Sequence, residues 1–152
     1  MVSPKLHAAR EAGIADLLVN IDVDDLDRAV AFYGGAFGLT VGRRFGAFGV
    51  EMLGGNAPLY LLARPEGSRV SSSAMASRRA YDRHWTPVHL DFVVPDIEAA
   101  VAKAERAGAT REGAISTHPW GRLATLADPF GHGFCLIEFL GRGYDEIADG
   151  GA

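Results

Sequence analysis

Two stretches of this chain run in parallel. With Asp25-Leu26 set against Asp96-Ile97, an offset of 71 positions, Leu18-Val19-Asn20-Ile21-Asp22-Val23 lies over His89-Leu90-Asp91-Phe92-Val93-Val94. Further on, Leu59-Tyr60-Leu61-Leu62-Ala63 lies over Phe134-Cys135-Leu136-Ile137-Glu138. In each stretch a β-rich run leads into an Asp-capped amphipathic helix, and three more strand candidates follow. Recurrence of this kind marks one structural unit used twice. A chance likeness between two amphipathic strand–helix pairs is the competing explanation. A single βαβββ unit cannot stand alone, because one helix covers only one face of its sheet. The other face must meet the second copy, another chain or a ligand.

The expected elements follow from the pattern. In the first copy they are a strand over 14–23, a helix opened by Asp24 and Asp25 and closed by Gly38, and strands over 39–44, 47–52 and 59–63. In the second they are a strand over 88–94, a helix from Asp96 to Gly108, and strands over 110–116, 122–126 and 133–140. Pro65, Gly67 and the serine run 71–73 break the pattern, so 65–86 reads as a linker or mobile loop, with a helical turn near 74–81 as one option. The resulting organisation is an N-terminal arm over 1–13, a single domain over 14–140 (module one 14–64, module two 87–140), and a polar tail over 141–152. The fold class is α+β: two βαβββ modules forming a curved, half-open mixed sheet around a pocket. Strand periodicity assigns Leu18, Asn20, Asp22, Leu61, Ala63, His89, Asp91, Leu136 and Glu138 to the inside of that pocket.

Bulk properties narrow the partners. A chain of 152 residues can bury a core without disulfides or structural metal. The net charge of −4 gives no support for a nucleic-acid or anionic-membrane surface. The single cysteine, Cys135, excludes an intramolecular disulfide and reads as a small buried hydrophobe. No apolar run reaches the ~20 residues of a membrane span, and the N-terminus has no apolar signal core. These features point to a cytoplasmic protein. There is no phosphate-binding glycine loop with its lysine, no nucleophile elbow and no paired Cys-x-x-Cys.

His89 and Glu138 are the first candidates for chemistry. Facing each other across a concave sheet, an imidazole and a carboxylate suit a divalent first-row metal, and they also suit a plain buried hydrogen bond. Asn20, Asp22 and Asp91 either contact a substrate or bond one another. Trp120 offers a stacking wall and Arg122 a receptor for an anionic group, with core or surface roles as the alternatives. His84 and Trp85 suit a lid or packing against the sheet edge. His132 reads as exposed.

The run from His89 to Asp96, the helix to Gly108, Ala127-Asp128-Pro129-Phe130-Gly131 and Phe134-Cys135-Leu136-Ile137-Glu138 resemble the second module of the vicinal oxygen chelate superfamily, the glyoxalase/bleomycin resistance protein/dioxygenase family. The run from Val23 to Tyr33 resembles its first module. In that superfamily metal ligands come from the first and last strands of each module. The resemblance therefore implies metal ligands at His89 and Glu138, with Glu138 and Asp91 as catalytic proton carriers. It puts Leu18 and Ala63 at the matching first-module positions, where neither can bind metal, so half of the usual ligand set is missing. Leu18, Asn20, Asp22, Ala63, Trp120 and Arg122 are then the substrate-binding candidates.

What the resemblance implies is a metal-assisted lyase or isomerase acting on an oxygen-rich or carbonyl substrate. Its cofactor would be a divalent metal (Zn, Ni, Mn or Fe), or none. The alternative is a metal-free small-molecule or antibiotic-binding protein. A dioxygenase ranks last, because it needs two histidines and a carboxylate. The expected partners are a small-molecule ligand and a second copy in a homodimer, with no nucleic acid and no membrane.

Overall fold

The computed structural model describes residues 15–73 and 77–150. The expected arm over 1–13 lies outside the described residues, as do 74–76 of the suggested helical turn. The chain divides into two compact units, Met1–Ala80 and Tyr81–Ala152.

In the first unit, β1 (Val19–Val23) leads into α1 (Leu26–Phe37), followed by β2 (Thr40–Arg44), β3 (Gly49–Leu53) and β4 (Leu59–Ala63). The sheet order is β1-β4-β3-β2, with β1 and β4 parallel and the other pairs antiparallel. Asp25 caps α1: its carboxylate accepts from Arg28 N at 3.0 Å. Gly38 ends the helix with φ +69, a conformation that L side chains avoid. Ala29, Phe32, Tyr33 and Ala36 bury one face of α1. Opposite them lie Ile21, Val23, Val50, Met52, Leu59 and Leu61, all buried.

The second unit repeats the plan. β5 (Leu90–Val93) is followed by α2 (Ile97–Ala107), β6 (Thr110–Arg111), β7 (Ser116–His118), β8 (Gly121–Ala127) and β9 (Gly133–Phe139). The order is β5-β9-β8-β6, with β7 also on β8, and again the first strand pairs in parallel with the last. Asp96 caps α2 with the same backbone angles as Asp25, φ −144 and ψ 105. Each unit is thus a mixed, unclosed sheet with one helix, the α+β class that the repeat implied. The single strand expected over 110–116 is instead two short ones. Gly113, at φ +86, bends the chain between them.

The segment after β4 is ordered where it is described. Gly67 N donates to Arg79 O, Arg79 N to Ser68 O and Val70 N to Ser77 O, so the chain doubles back on itself rather than forming a helical turn at 77–81. Beyond β9, Gly143–Glu146 forms a 3₁₀ turn whose Tyr144 packs against Phe139 and Trp120. Among the described residues no helix is long and apolar enough to cross a membrane.

Candidate functional site

Strand register decides which side chains share a face. In the second unit Asp91 pairs with Cys135, and Cys135 pairs with Thr125 across β8. Paired residues point the same way, so these three stand on one face. His89 joins them: its Nε2 lies 3.2 Å from Asp91 Oδ1. Phe92, Leu136 and Ala124 form the next row, on the opposite face. Glu138 belongs to that second face. Its Oε2 accepts from Ile97 N at 3.2 Å, at the start of α2. That amide is one of the four that a helix leaves without an internal partner, and a carboxylate suits the helix dipole there.

The expected His89–Glu138 pair therefore does not form. The first unit shows the same correction. Ala63 pairs with Val23 on the face that α1 covers, and Leu61 pairs with Ile21 there. The open face carries Asn20, Asp22, Tyr60 and Leu62. Leu18 precedes β1 and is half exposed. Asp22 is engaged by Arg79, Nε to Oδ2 at 2.6 Å. Arg122 is tied to Glu98 Oε1 at 2.7 Å and lies 3.7 Å from Glu138 Oε2, on the α2 side. Trp120 stacks on His118, centroids 4.8 Å apart and planes within 3°, with Phe139 and Tyr144 beside it.

What the fold assembles instead is a cluster of His89, Asp91 and Cys135. One ligand atom from each lies within 4.8 Å of the others. Cys135 is buried and the other two are exposed. Burial pushes the Cys135 thiol up; the Asp91 carboxylate adds to this, while its contact with Thr125 Oγ1, at 3.7 Å, opposes it. A cation held among the three would pull the thiol back down.

Trp85 walls the cluster. Its ring lies 4.6 Å from that of His89, tilted by 36°. It sits on the bare backbone of Gly133, where an added Cβ would fall 2.1 Å from the indole. Arg83 backs the indole at 5.5 Å and makes a paired contact with Glu112, Nε to Oε2 at 2.6 Å and Nη2 to Oε1 at 2.5 Å. The segment is pinned again by His84 and His132, whose ring nitrogens are 2.9 Å apart, so His132 is not simply exposed.

The open face of the first unit holds a second polar cluster that the sequence did not single out. Glu51 is only 1% exposed. It accepts from Arg43 N and Nε at 3.1 Å, from Arg43 Nη2 at 2.5 Å and from Tyr60 Oη at 2.9 Å. The Arg43 guanidinium holds the Glu51 carboxyl at about 2, against a desolvation that pushes it the other way. A carboxylate whose pKa is lowered on folding adds stability above its unfolded pKa, near 4.5, and loses it as pH falls towards 2. Urea melts of wild type and Glu51→Gln should therefore differ most at pH 6, and the gap should close between pH 4.5 and 2. A gap that stays constant over that range would refute the assignment. The missed signal was an acidic residue, Glu51, in a run of strand formers, with Gly42 opposite: a Cβ at Gly42 would lie 2.5 Å from Glu51 Oε1.

Comparison with known proteins agrees with this architecture. A family model described as a glyoxalase-like domain matches residues 18–137. An anthracycline biosynthesis protein, DnrV, from Streptomyces peucetius is 39% identical over 67 residues. That stretch is 44% of this chain but only 23% of that protein, so the chain spans about a quarter of the relative's length. Among solved structures, lactoylglutathione lyase from Agrobacterium tumefaciens is similar with a TM-score of 0.57 at 23% identity, covering 82% of this chain and 92% of that one. TnmS3, an antibiotic binding protein from Streptomyces sp. CB03234, is similar with a TM-score of 0.59 at 21% identity, covering 86% and 100%. At these identities the structural likeness is one of fold.

Proposed function

The chain belongs to the glyoxalase-like domain family, and from that premise we propose that it is a small-molecule enzyme, a metal-assisted lyase or isomerase acting on an oxygen-rich or carbonyl compound. The observation that carries this reading is the His89, Asp91 and Cys135 cluster. One nitrogen, one oxygen and one sulfur donor fit zinc best, with nickel or iron next and manganese least suited to the thiolate. Three protein donors also leave a coordination position for substrate, as catalytic sites do and closed structural sites do not. When bound, a divalent metal would supply Lewis-acid polarisation of a substrate oxygen.

The chain's own residues supply the rest. The Asp91 carboxylate, exposed and next to the His89 imidazole, takes a proton from the substrate and returns it. The exposed Trp85 ring gives a flat wall on which an unsaturated substrate rests. Glu138, committed to α2, has no part in this scheme. Lactoylglutathione lyase among the structures of like fold supports a lyase.

A metal-free binding protein is the second reading. It is favoured by the buried, neutral-leaning Cys135 thiol, and by Leu18, Asn20 and Tyr60, which occupy the matching positions of the first unit and offer no second ligand set. The antibiotic-binding TnmS3 supports it by fold. In both readings the protein is proposed to act as a cytoplasmic homodimer.

Cobalt(II) titration separates the two. One equivalent should bind and give a thiolate-to-cobalt charge-transfer band in the near ultraviolet, absent in Cys135→Ser. No bound cobalt and no band at any loading would leave the binding protein as the better account.

A further inference from the structure

We propose that Arg43, on the open face of the first unit, is the receptor for a small organic oxyanion, specifically an aryl carboxylate. The argument starts from where its donors go. Nε and Nη2 are spent on Glu51, and Nη2 also donates to Tyr60 Oη at 3.1 Å. Tyr60 in turn donates to Glu51 Oε2. The acceptors of this network are thus satisfied from within. Among the described residues Arg43 Nη1 has no hydrogen-bond partner, and the Arg43 side chain is 36% exposed.

The result is a guanidinium whose Nε and Nη2 are held by Glu51 and Tyr60, with Nη1 left outward. A side chain already held in one rotamer loses little entropy when it takes up a ligand. Nη1 is left to donate a charge-assisted hydrogen bond to one oxygen of an anionic ligand. Phe45 flanks it, with the Arg43 Cζ 5.7 Å from the ring centroid, and this residue is 40% exposed. Phe48, in the same β2–β3 turn, is 74% exposed. A ligand with a flat apolar body and an anionic head matches that pairing of surfaces. Register reinforces the placement. Tyr60 occupies in β4 the position that Cys135 occupies in β9, each opposite the second residue of its partner strand. The repeat therefore sets a polar cluster on the same row of both sheets, one of metal-type donors and one built around a cation. The Arg43 site does not depend on the metal.

The test is a titration with benzoate, with benzamide and acetate as controls, followed at the Arg43 Nε–Hε resonance and by calorimetry. Benzoate should shift the resonance saturably and bind at least tenfold more tightly than benzamide, which lacks the charge, or acetate, which lacks the ring. The double variant Arg43→Gln, Glu51→Gln removes both charges together, so no buried carboxylate is stranded; while folded, it should lose benzoate at least tenfold. Should that variant fold poorly, Arg43→Lys keeps the charge opposite Glu51 without the outward Nη1, and it should show the same loss. An unsaturable benzoate response, equal binding of benzamide, or undiminished binding in a folded variant would overturn the proposal.

Discussion

Replacing His89 with alanine is expected to weaken zinc or cobalt binding by at least about 100-fold. Changes to residues that merely orient a ligand typically cost 10- to 100-fold, and a direct donor should cost no less. Here the loss is deepened by what His89 touches. It leaves Asp91 without its 3.2 Å contact and leaves Trp85 without the ring it packs beside. The remaining pair, an exposed carboxylate and a buried thiol, is too poor a donor set to hold a divalent cation against water. The measurement is metal content after dialysis, with affinity from competition against a chelator of known strength. Glu138→Gln is the matched control, because the carboxylate serves the α2 N-terminus and not the cluster. A Glu138→Gln loss as large as that of His89→Ala would show that the metal centre is built from other residues.

Gly121→Ala is expected to destabilise the protein by about 3 kcal/mol or more. Gly121 has φ +152, which L side chains rarely adopt, and that strain alone costs ~1–3 kcal/mol. The added Cβ would also fall 2.1 Å from Glu138 O and 3.0 Å from Phe139 Cα. Those are backbone atoms of β9, which cannot swing aside as the end of a side chain can. Relief requires β8 to pull away from β9, and the β8–β9 ladder is the one that brings Thr125 beside Cys135. Urea denaturation should show the loss, with Gly46→Ala for comparison. Gly46 also has a positive φ, +57, but a Cβ there meets nothing within 4 Å, so its cost should stay near 1 kcal/mol. Equal losses at both positions would mean that the close approach of β8 to β9 contributes nothing.

Much of the architecture was legible in the residues. β4 runs over Leu59–Ala63, as its β-rich run implied, and both aspartate caps stand where the helices were expected to open. The error lay in the last strand of each module. Alternation puts Leu61, Ala63, Leu136 and Glu138 on the open face, and they lie on the helix-covered one. Period-2 alternation sorts a strand into two sets of side chains but does not say which set faces the core, and β9 is apolar in both sets around its centre. A hairpin turn fixes register between antiparallel neighbours. β1 and β4, or β5 and β9, are parallel and joined through a helix and two or more strands, so no local turn chemistry ties one to the other.

Cys135 shows the consequence. Its sequence neighbours made it an apolar filler, and burial alone agrees. Only parallel pairing with Asp91 turns it into a neighbour of His89. Arg43 and Glu51 were equally hidden, since nothing in a run of strand formers says that two charges eight residues apart will meet across β2 and β3. What this sequence determined alone was the repeated unit, its caps and its strands, because hydrophobic period, capping and glycine conformation act over a few residues. Which donors meet was left to the tertiary structure, because parallel register is set by packing between segments far apart in the chain.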